Sequence, residues 1–184
     1  DFTLQKCFHK MIHKYFNQSS VKSEAIYSNC ENYRYTLTRE WDAEKQKVLF
    51  IMLNPSTADE TKNDATVERC ERRARNLNFG SVRICNIFAW RETNPFKLKQ
   101  KTKPIGKDNN KIIQDSTIWA NDIICAWGTH GSHLERDEEI KKLLSSNGCK
   151  LYHLGLTKNG HPKHPLYVPY SQDIIRWRLK EKPV

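Results

Sequence analysis

The chain has 184 residues, of which 38% are hydrophobic and 10% aromatic, a composition that suits one globular domain and excludes a disordered protein. Its formal net charge of +10 favours a polyanionic partner, nucleic acid before membrane, although a merely basic surface is the alternative. No apolar run approaches the roughly 20 residues that a membrane span needs, so no membrane partner is expected.

The six cysteines lie far apart, and none of them belongs to a C-x-x-C pair. This spacing excludes a zinc ribbon and the ordinary iron–sulfur patterns. Cys85 and Cys125 fall within apolar runs and are predicted to be small core residues. We therefore expect free thiols in a reducing compartment. Since no signal-peptide pattern is present, we expect an intracellular protein, cytoplasmic or nucleoid-associated.

The N-terminal part of the chain is predicted to be a helix followed by a loop. Residues 3–17 carry apolar side chains at helical spacing, and residues 17–31 are mostly polar. Residues 33–39 alternate well enough to predict a strand with one solvent-exposed face. We expect a single domain over residues 1–184, with an N-terminal helix and loop (1–32) before an α/β core (33–180).

The core is centred on the apolar run 48–53, which is followed at once by Asn54, Pro55 and Ser56. A short unalternating run of this kind is typical of a strand covered on both faces, as in a parallel sheet. Pro55 lacks an N–H group and favours an extended conformation for the residue before it. Asn54 is therefore predicted at the carboxyl end of a buried strand, where ligands bind in open α/β sheets.

Helices and strands alternate after this point. A helix is predicted over 66–78, with Asp64 as its cap and Gly80 closing it. The further expected strands cover 82–89, 122–128 and 149–155, and the further expected helices cover 108–119, 135–146 and 171–180. This order predicts the α/β class: three α/β/α layers with a central, largely parallel sheet.

Four of the predicted strands end in polar loops, at residues 54–56, 86–91, 128–130 and 160–165. The carboxyl ends of parallel strands meet at one edge of a sheet, so this convergence is the main functional signal. In the last loop a proline follows both His161 and His164 and restricts their backbones. At least one of the two histidines is therefore expected to have a functional role.

Several common site types are absent from the sequence. A metal site formed by His130, His161 and His164 is conceivable, but no acidic residue lies within 156–172 and no H-E-x-x-H helix exists. The sequence also lacks the G-x-S-x-G elbow and the glycine-rich motifs of phosphate and dinucleotide sites. We expect neither a metal nor a cofactor.

Five segments together resemble the bacterial and phage family catalogued as domain of unknown function 1643. The resemblance runs from about Tyr33 to Trp177. Its segments are LNPSTAD (53–59), NDATVERC (63–70), CNIFAWRETNP (85–95), AWGTHG (126–131) and LGLTKNGHPKHPLYVP (154–169).

The same loops distantly resemble the mismatch-specific uracil-DNA glycosylases. In those enzymes the asparagine of a G-I-N-P strand end helps to position water, and later strands end in T-N and in W-G or L-G before an H-P-S-P-L loop. Leu53 to Ser56 is similar to the first motif, without its initial glycine. Cys85-Asn86 and Trp127-Gly128 are similar to the second and third, and residues 161–166 to the last. That final loop is one residue longer here, so either His161 or His164 could match its histidine.

The resemblance implies a hydrolase that cleaves the N-glycosidic bond of a base or modified base in nucleic acid, in DNA rather than RNA, as a monomer. It implies catalytic roles for Asn54, His161 or His164. The residues expected to bind the substrate are Pro55, Ser56, Asp64, Asn86, Phe88, Trp90, Arg91, Trp127, Gly128 and Tyr167. The cations expected to meet the nucleic-acid backbone are Arg72, Arg73, Arg75, Lys97, Lys99, Lys101, Lys103 and Lys163.

Two other functions remain open from the sequence. One is a transferase or hydrolase that acts on a free modified nucleotide or nucleobase in the same pocket. The other is a non-catalytic module that binds nucleic acid. The sequence selects neither the base nor the strand state.

Overall fold

The computed structural model describes residues 11–146 and 148–179, in which eight strands form one mixed sheet. The strands are β1 (Ile12–Gln18), β2 (Val21–Tyr27), β3 (Arg34–Glu40), β4 (Lys47–Met52), β5 (Ser81–Asn86), β6 (Asp122–Cys125), β7 (Leu151–His153) and β8 (Ile175–Arg176). The helices are α1 (Ala65–Asn76), α2 (Pro95–Lys99), α3 (Asn109–Trp119) and α4 (Arg136–Ser145). Short 3₁₀ turns cover Thr129–Glu135 and Pro165–Tyr167.

The sheet has the strand order β1-β2-β3-β5-β4-β6-β7-β8. The α/β class is confirmed, but the expectation of a largely parallel sheet is wrong. Strands β5, β4, β6 and β7 pair in parallel, whereas the other four of the seven pairings are antiparallel. For two of these four pairings the reason is local: strands β1, β2 and β3 follow one another through short connections, which allow only antiparallel pairing.

The N-terminal prediction of a helix and loop is wrong where the structure describes it. Residues 12–18 and 21–27 form a hairpin, with Ser19 at φ 55° in its turn; residues 3–10 of the expected helix lie outside the described residues. Ala25 and Tyr27 are buried on every second position of β2. Polar residues between them made this run look like a loop. Because β2 pairs with β3, residues 21–27 belong to the sheet rather than to a separate N-terminal segment.

Strand β3 is present as predicted, but its expected solvent-exposed face is largely covered. Arg34 and Arg39 are both buried and donate hydrogen bonds to the loop that follows β4. The acceptors are the backbone carbonyls of Ala58 for Arg34 and of Asp59 for Arg39. Buried guanidinium groups thus fix this loop onto the sheet.

Strand β4 is buried on both faces, as its apolar run predicted. Val48, Phe50 and Met52 share one core cluster with side chains of α1, and Leu49 and Ile51 share another with side chains of α2, α3 and α4. Helices therefore lie on both faces of the parallel strands.

One predicted end of α1 is confirmed and the other needs correction. Asp64 caps α1 as expected, accepting from the N–H groups of Thr66 and Val67 at 3.0 and 2.9 Å. However, the left-handed residue after α1 is Asn78, at φ 63°, and not Gly80. Gly80 is needed for another reason: a Cβ atom there would lie 1.9 Å from the carbonyl oxygen of Asp42.

The helix predicted over 171–180 is absent from the described residues. Ile175 and Arg176 form β8, which pairs antiparallel with β7, and residue 180 lies outside the described range. The edge of β7 offers unpaired backbone groups, and pairing with them overrides the helical spacing of the apolar side chains. Over the described residues, no helix has the length and apolar character that crossing a bilayer requires.

The chain order creates a point of divergence at β4. From β4 the chain passes through α1 to β5 on one side, then through α2 and α3 to β6 on the other side of β4. The loops after β4 and β6 therefore separate, which opens a crevice at their carboxyl ends.

Candidate functional site

A cavity of about 840 Å³ occupies this crevice. Its volume lies in the range of roughly 300–1,000 Å³ that is usual for small-molecule sites. The loops after β4, β5, β6 and β7 and the start of α1 all contribute to its wall. The lining residues are Leu53, Asn54, Ser56, Thr57, Asp64, Ala65, Thr66, Glu92, Thr93, Pro95, Trp127, Gly128, Thr129, His130, Thr157, Lys163, His164, Leu166 and Tyr167.

Many of the residues singled out from the sequence meet in this cavity. They come from four separate loops, as expected for strand ends that converge on one edge of a sheet. These residues are Asn54, Ser56, Asp64, Trp127, Gly128, Lys163, His164 and Tyr167.

Other expected substrate-binding residues lie elsewhere. Pro55, Asn86 and Phe88 are buried, and Phe88 packs in the core with its ring 5.7 Å from that of His133. Trp90 contacts the ring of Tyr33 edge-on at 5.1 Å. Arg91 lines a neighbouring groove instead. An apolar or aromatic residue just after a strand can point into the core as easily as into a crevice, and the sequence does not distinguish these directions.

His161 lies outside the cavity wall. It is half-buried, and its Nδ1 atom is 3.4 Å from Oδ2 of the buried Asp137. His164, by contrast, lines the cavity. The geometry therefore selects His164 as the histidine that a bound ligand would meet.

Asn54 is held by its amide nitrogen. Its Nδ2 atom donates to the backbone carbonyls of Pro55 and Glu92. Within the described residues no group donates to its Oδ1 atom. This orientation leaves Oδ1 as the acceptor available to a water molecule or ligand in the cavity.

His164 is held in its neutral form. Burial lowers its pKa to about 4, with the negative charge of Asp64 opposing part of that shift. Its Nδ1 atom accepts from the N–H of Leu166 at 3.4 Å. In a neutral imidazole that accepts at Nδ1, the hydrogen is on Nε2. His164 therefore supplies a neutral N–H donor near neutral pH.

Asp64 joins the wall of the cavity to the first turn of α1. Its Oδ1 atom caps the helix, and its Oδ2 atom accepts from the N–H of Ala58 at 3.2 Å. The carboxylate thus satisfies three backbone donors, so its main role is to hold the loop and the helix start together.

Trp127 and Gly128 form the wall at the end of β6. Gly128 has φ 72° and ψ −171°, a backbone conformation that is essentially restricted to glycine. Its N–H donates to the carbonyl of Pro162 at 2.8 Å. This bond attaches the loop that carries His164 to the end of β6.

Exposed aromatic rings flank the cavity. Tyr167 lines it and is 84% exposed. On another side, the exposed Phe96 contacts the ring of the lining residue His130 edge-on at 5.6 Å. Burial lowers the pKa of His130, and nearby Lys99 lowers it further. Exposed rings of this kind are suitable surfaces for base stacking.

The cations predicted to bind a nucleic-acid backbone differ in burial and in their partners. Arg73 is buried and donates to the carbonyls of Gln172, Val168 and Pro169, so the structure contradicts its assignment to a nucleic-acid backbone. Arg72 and Arg75 are exposed but paired with Glu68 and Glu71. Lys163 lines the cavity. Lys97, Lys99 and Lys103 are exposed, and Lys101 is half-buried.

Several lining residues were not singled out from the sequence as substrate contacts: Glu92, Thr93, Thr57, Thr129 and Thr157. Ser56 and Thr93 are joined by a 3.0 Å hydrogen bond between their hydroxyl groups. Thr129 lies within one of the polar loops identified at the strand ends, and the other four lie within three residues of one, so proximity to these loops was the available signal. Their individual side-chain directions depend on the tertiary fold.

The histidines considered as metal ligands do not form a metal-binding group in the described part of the chain. Within residues 11–146 and 148–179, no group of three or more His, Cys, Asp or Glu side chains is arranged to hold a metal ion. Cys30, Cys70, Cys85 and Cys125 are free thiols as expected, and Cys85 and Cys125 are buried in the core. Cys7 lies outside the described residues.

Comparisons with known proteins give one specific relationship. No curated protein matches the chain. A solved structure named "Putative hydrolase from Agrobacterium vitis S4" aligns with 10% sequence identity over 91% of this chain and 68% of that chain. The TM-score of 0.26 is too low to carry an argument. A family model matches residues 34–166, most of the chain, and the protein therefore belongs to the family described as "Protein of unknown function (DUF1643)".

Proposed function

We propose that the protein is a uracil-DNA-glycosylase-like hydrolase that cleaves the N-glycosidic bond of a base or modified base in nucleic acid. The observation that carries this proposal is that Asn54 and His164 line one cavity at the divergence of β4 and β6. The distant glycosylase resemblance assigns Asn54 to the water and either His161 or His164 to the departing base, and of these two histidines His164 lines the cavity. The proposal also includes the glycosylase-like arrangement of the parallel strands β5, β4, β6 and β7 with helices on both faces.

The proposed reaction adds water to the anomeric carbon of the sugar and releases the base. The bond from that carbon to the base nitrogen breaks, and the base leaves with the bonding electron pair. The water forms the new carbon–oxygen bond, and the proton that it loses balances the charge on the released base. Asn54 accepts a hydrogen bond from this water through Oδ1 and so orients it for attack.

His164 stabilises the departing base in this scheme. As charge develops on a base oxygen, a neutral Nε2–H group donates a hydrogen bond to it without bringing a second titrating charge into the cavity. One such preorganised donor typically contributes about 3 kcal/mol to stabilising a transition state. The pKa of about 4 keeps this donor form dominant at neutral pH.

Substrate entry requires the base to leave its stack, because a paired base does not expose its glycosidic bond inside a crevice. Tyr167 offers an exposed ring at the cavity for stacking. Lys163 lines the same wall and supplies a cation for an adjacent phosphate. The net charge of +10 supports a polyanionic substrate.

A second candidate is a hydrolase or transferase that acts on a free modified nucleotide. The observation that favours it is the cavity volume of about 840 Å³, which accommodates a whole nucleotide without a polymer.

The proposal is tested by incubating the protein with oligonucleotides that contain uracil, hypoxanthine or 5-hydroxymethyluracil and identifying released bases by mass spectrometry. We expect release of a free base from at least one of them. His164→Ala should reduce the rate about a hundredfold or more, whereas His161→Ala should have a much smaller effect because His161 lies outside the cavity. Turnover of modified mononucleotides alone would support the second candidate. Tight binding without any release would support a non-catalytic binding module.

A further inference from the structure

A row of lysines runs from the cavity to a second, more apolar groove. Lys99, Lys101 and Lys103 occupy alternate positions after α2 begins. The ammonium groups of Lys99 and Lys101 each lie near an aromatic ring, and the backbone of Lys103 accepts a hydrogen bond from a tyrosine. These three associations define a basic–aromatic track: Lys99 with Phe96, Lys101 with Trp90, and Lys103 with Tyr33.

The distances show how the track is built. Lys99 Nζ lies 6.0 Å from the centroid of the Phe96 ring, and Lys101 Nζ lies 5.0 Å from that of Trp90. The hydroxyl of Tyr33 donates to the backbone carbonyl of Lys103 at 2.9 Å. Phe96 contacts the cavity residue His130, and Trp90 contacts the groove residue Tyr33, so one ring pair lies at the cavity and another at the groove. The chain from Lys99 to Lys101 joins the two pairs.

The groove at the far end has a volume of about 630 Å³. Its wall includes Tyr33, Tyr35, Ile105 and Leu134, with Lys103 and Lys107 among the lining residues. The rings of Tyr33 and Tyr35 are nearly parallel, at 9° with centroids 6.5 Å apart. The groove thus combines flat apolar surface with two exposed cations.

Leu134 is held at this groove in a conformation that costs energy. Leu134 and Glu135 are consecutive non-glycine residues with φ 57° and 52°, and the Leu134 side chain is 59% exposed. Left-handed backbone typically costs a non-glycine residue about 1–2 kcal/mol. Strain that displays an apolar side chain beside a groove is typical of a binding surface.

The charges near the track favour a polyanion. Lys97, Lys99, Lys103 and Lys107 are exposed. The acids nearest to them in sequence are Glu92 and Asp108, which are both half-buried. Two more acids adjoin residues of the groove wall: Glu31, which is paired with Lys14, and the exposed Glu135. Flat rings alternating with cations match a chain in which bases alternate with phosphates, and sequence-independent binding of single strands uses this combination. A duplex, whose bases are already stacked, would present only its phosphates.

We propose that the basic–aromatic track and its groove bind single-stranded nucleic acid on one side of the reacting nucleotide, with an unpaired base resting in the groove beside Tyr33 and Leu134. This inference rests on the proposed function in taking nucleic acid as the ligand, but it does not depend on bond cleavage. It specifies the strand state of the substrate, which the cavity alone does not.

Cys30 provides a direct probe of the groove. It is an exposed thiol that lines the groove, whereas Cys70, Cys85 and Cys125 are buried. A hydrogen bond with Ser28 lowers the pKa of Cys30, which favours its alkylation. The rate of Cys30 alkylation by iodoacetamide, followed by peptide mass spectrometry, therefore reports occupation of the groove.

The test uses the Asn54→Ala protein, so that cleavage does not consume the ligand, and a saturating single-stranded oligothymidylate. We expect alkylation of Cys30 to slow at least several-fold, and a blunt duplex at the same phosphate concentration to protect it less. Tyr33→Leu should weaken single-strand binding by about tenfold or more, because a stacking ring is lost. Tyr33→Phe, which keeps the ring but loses the hydrogen bond to Lys103, should bind nearly as the parent protein does.

The lysines are tested against a charge-matched control. The double variant Lys103→Ala/Lys107→Ala should lower the slope of log affinity against log salt by about 1.4, since each phosphate contact to a single strand contributes roughly 0.7. The double variant Lys142→Ala/Lys150→Ala carries the same charge change in α4 and just before β7. Three strands separate β7 from β3, which begins at the groove, so this variant should leave the slope almost unchanged.

The track proposal would be overturned if the two double variants lowered the salt slope equally. It would also be overturned if Cys30 were alkylated at an unchanged rate in a complex saturated with oligothymidylate. Stronger protection by the duplex would do so as well. If base release is observed while Cys30 stays unprotected, the track is wrong and the proposed function stands. If Cys30 is protected and Lys103→Ala/Lys107→Ala lowers the salt slope, but no base is released from any substrate, the track stands and the proposed glycosylase activity fails.

Discussion

The N–H of Gly128 donates a 2.8 Å hydrogen bond to the carbonyl of Pro162, which attaches the end of β6 to the loop that carries His164. A Cβ atom on Gly128 would lie 3.5 Å from Cβ of His164, an ordinary van der Waals distance. The requirement for glycine therefore comes from the backbone, at φ 72° and ψ −171°, rather than from lack of space.

Gly128→Ala is expected to destabilise the protein by about 1–3 kcal/mol and to lower activity at temperatures where it stays folded. The strain can be released by moving this bond, which would displace His164. Gly148→Ala is the matched control, because Gly148 also has a positive φ, at 61°, but lies in open space. Chemical denaturation and activity assays on both variants check this. A specific role for Gly128 would be contradicted if Gly128→Ala and Gly148→Ala lost the same activity for the same loss of stability.

The histidine at the cavity predicts a pH dependence of stability. Its folded pKa of about 4 lies below the usual value of about 6.5, so between these values the unfolded chain binds more protons than the folded one. Stability should therefore rise with pH through this window, by on the order of 3 kcal/mol for His164 alone, and be constant above it.

Urea denaturation at pH about 4.5 and about 7 checks this prediction, with His164→Gln as the comparison. Burial also lowers the pKa of His130, His133 and His153, and these groups act in the same direction in both proteins. The difference between the two proteins isolates His164. An identical pH dependence of unfolding in the variant would show that His164 is not held neutral by the fold.

Arg73 and Arg72 are adjacent in α1 but should behave oppositely when replaced. Arg73 donates to three carbonyls of the segment that follows Tyr167, so Arg73→Met should cost a few kcal/mol, since buried carbonyls lose charged partners. Arg72 is exposed, paired with Glu68 and 5.5 Å from the centroid of the Tyr170 ring, so Arg72→Ala should change stability by no more than about 1 kcal/mol. Thermal denaturation of the two variants compares them directly. Similar melting temperatures would contradict the anchoring role of Arg73.

The central strand and the position of the site were predictable because their signals are local. The apolar run before Pro55 specifies β4, and the polar loops after four strands specify the edge of the sheet at which the cavity lies. The direction of a single side chain is not local. Phe88 follows β5 as Asn54 follows β4, yet it packs in the core, and Arg73 lies among exposed arginines of α1 yet is buried.

The hairpin of β1 and β2 shows the same limit for whole elements. Its polar residues alternate with buried ones only once β2 has paired with β3, and that pairing determines which residues are covered. Similarly, Ile175 and Trp177 have helical spacing with their neighbours, but the free edge of β7 takes them up in an extended conformation. Pairing partners distant in sequence decided both outcomes.

Asp64 offers a test that separates architecture from chemistry. Asp64→Ala removes the cap of α1 and the bond to Ala58, so it should cost about 0.5–2 kcal/mol in stability. Asp64→Asn keeps an acceptor for the helix and should recover most of that loss. If activity follows stability across the two variants, Asp64 is structural. Loss of activity in a stable Asp64→Asn protein would instead give its charge a direct role in the reaction.

The most direct test of the account is the single-turnover rate of base release by Asn54→Ala, measured beside its affinity for the same oligonucleotide. Water is oriented mainly in the transition state, so the rate should fall by about a hundredfold or more while the affinity stays within about twofold of the parent value. Asn76→Ala, at the exposed end of α1, is the control and should match the parent in both measurements. Full turnover by Asn54→Ala at unchanged affinity would contradict the assignment of Asn54 to the attacking water.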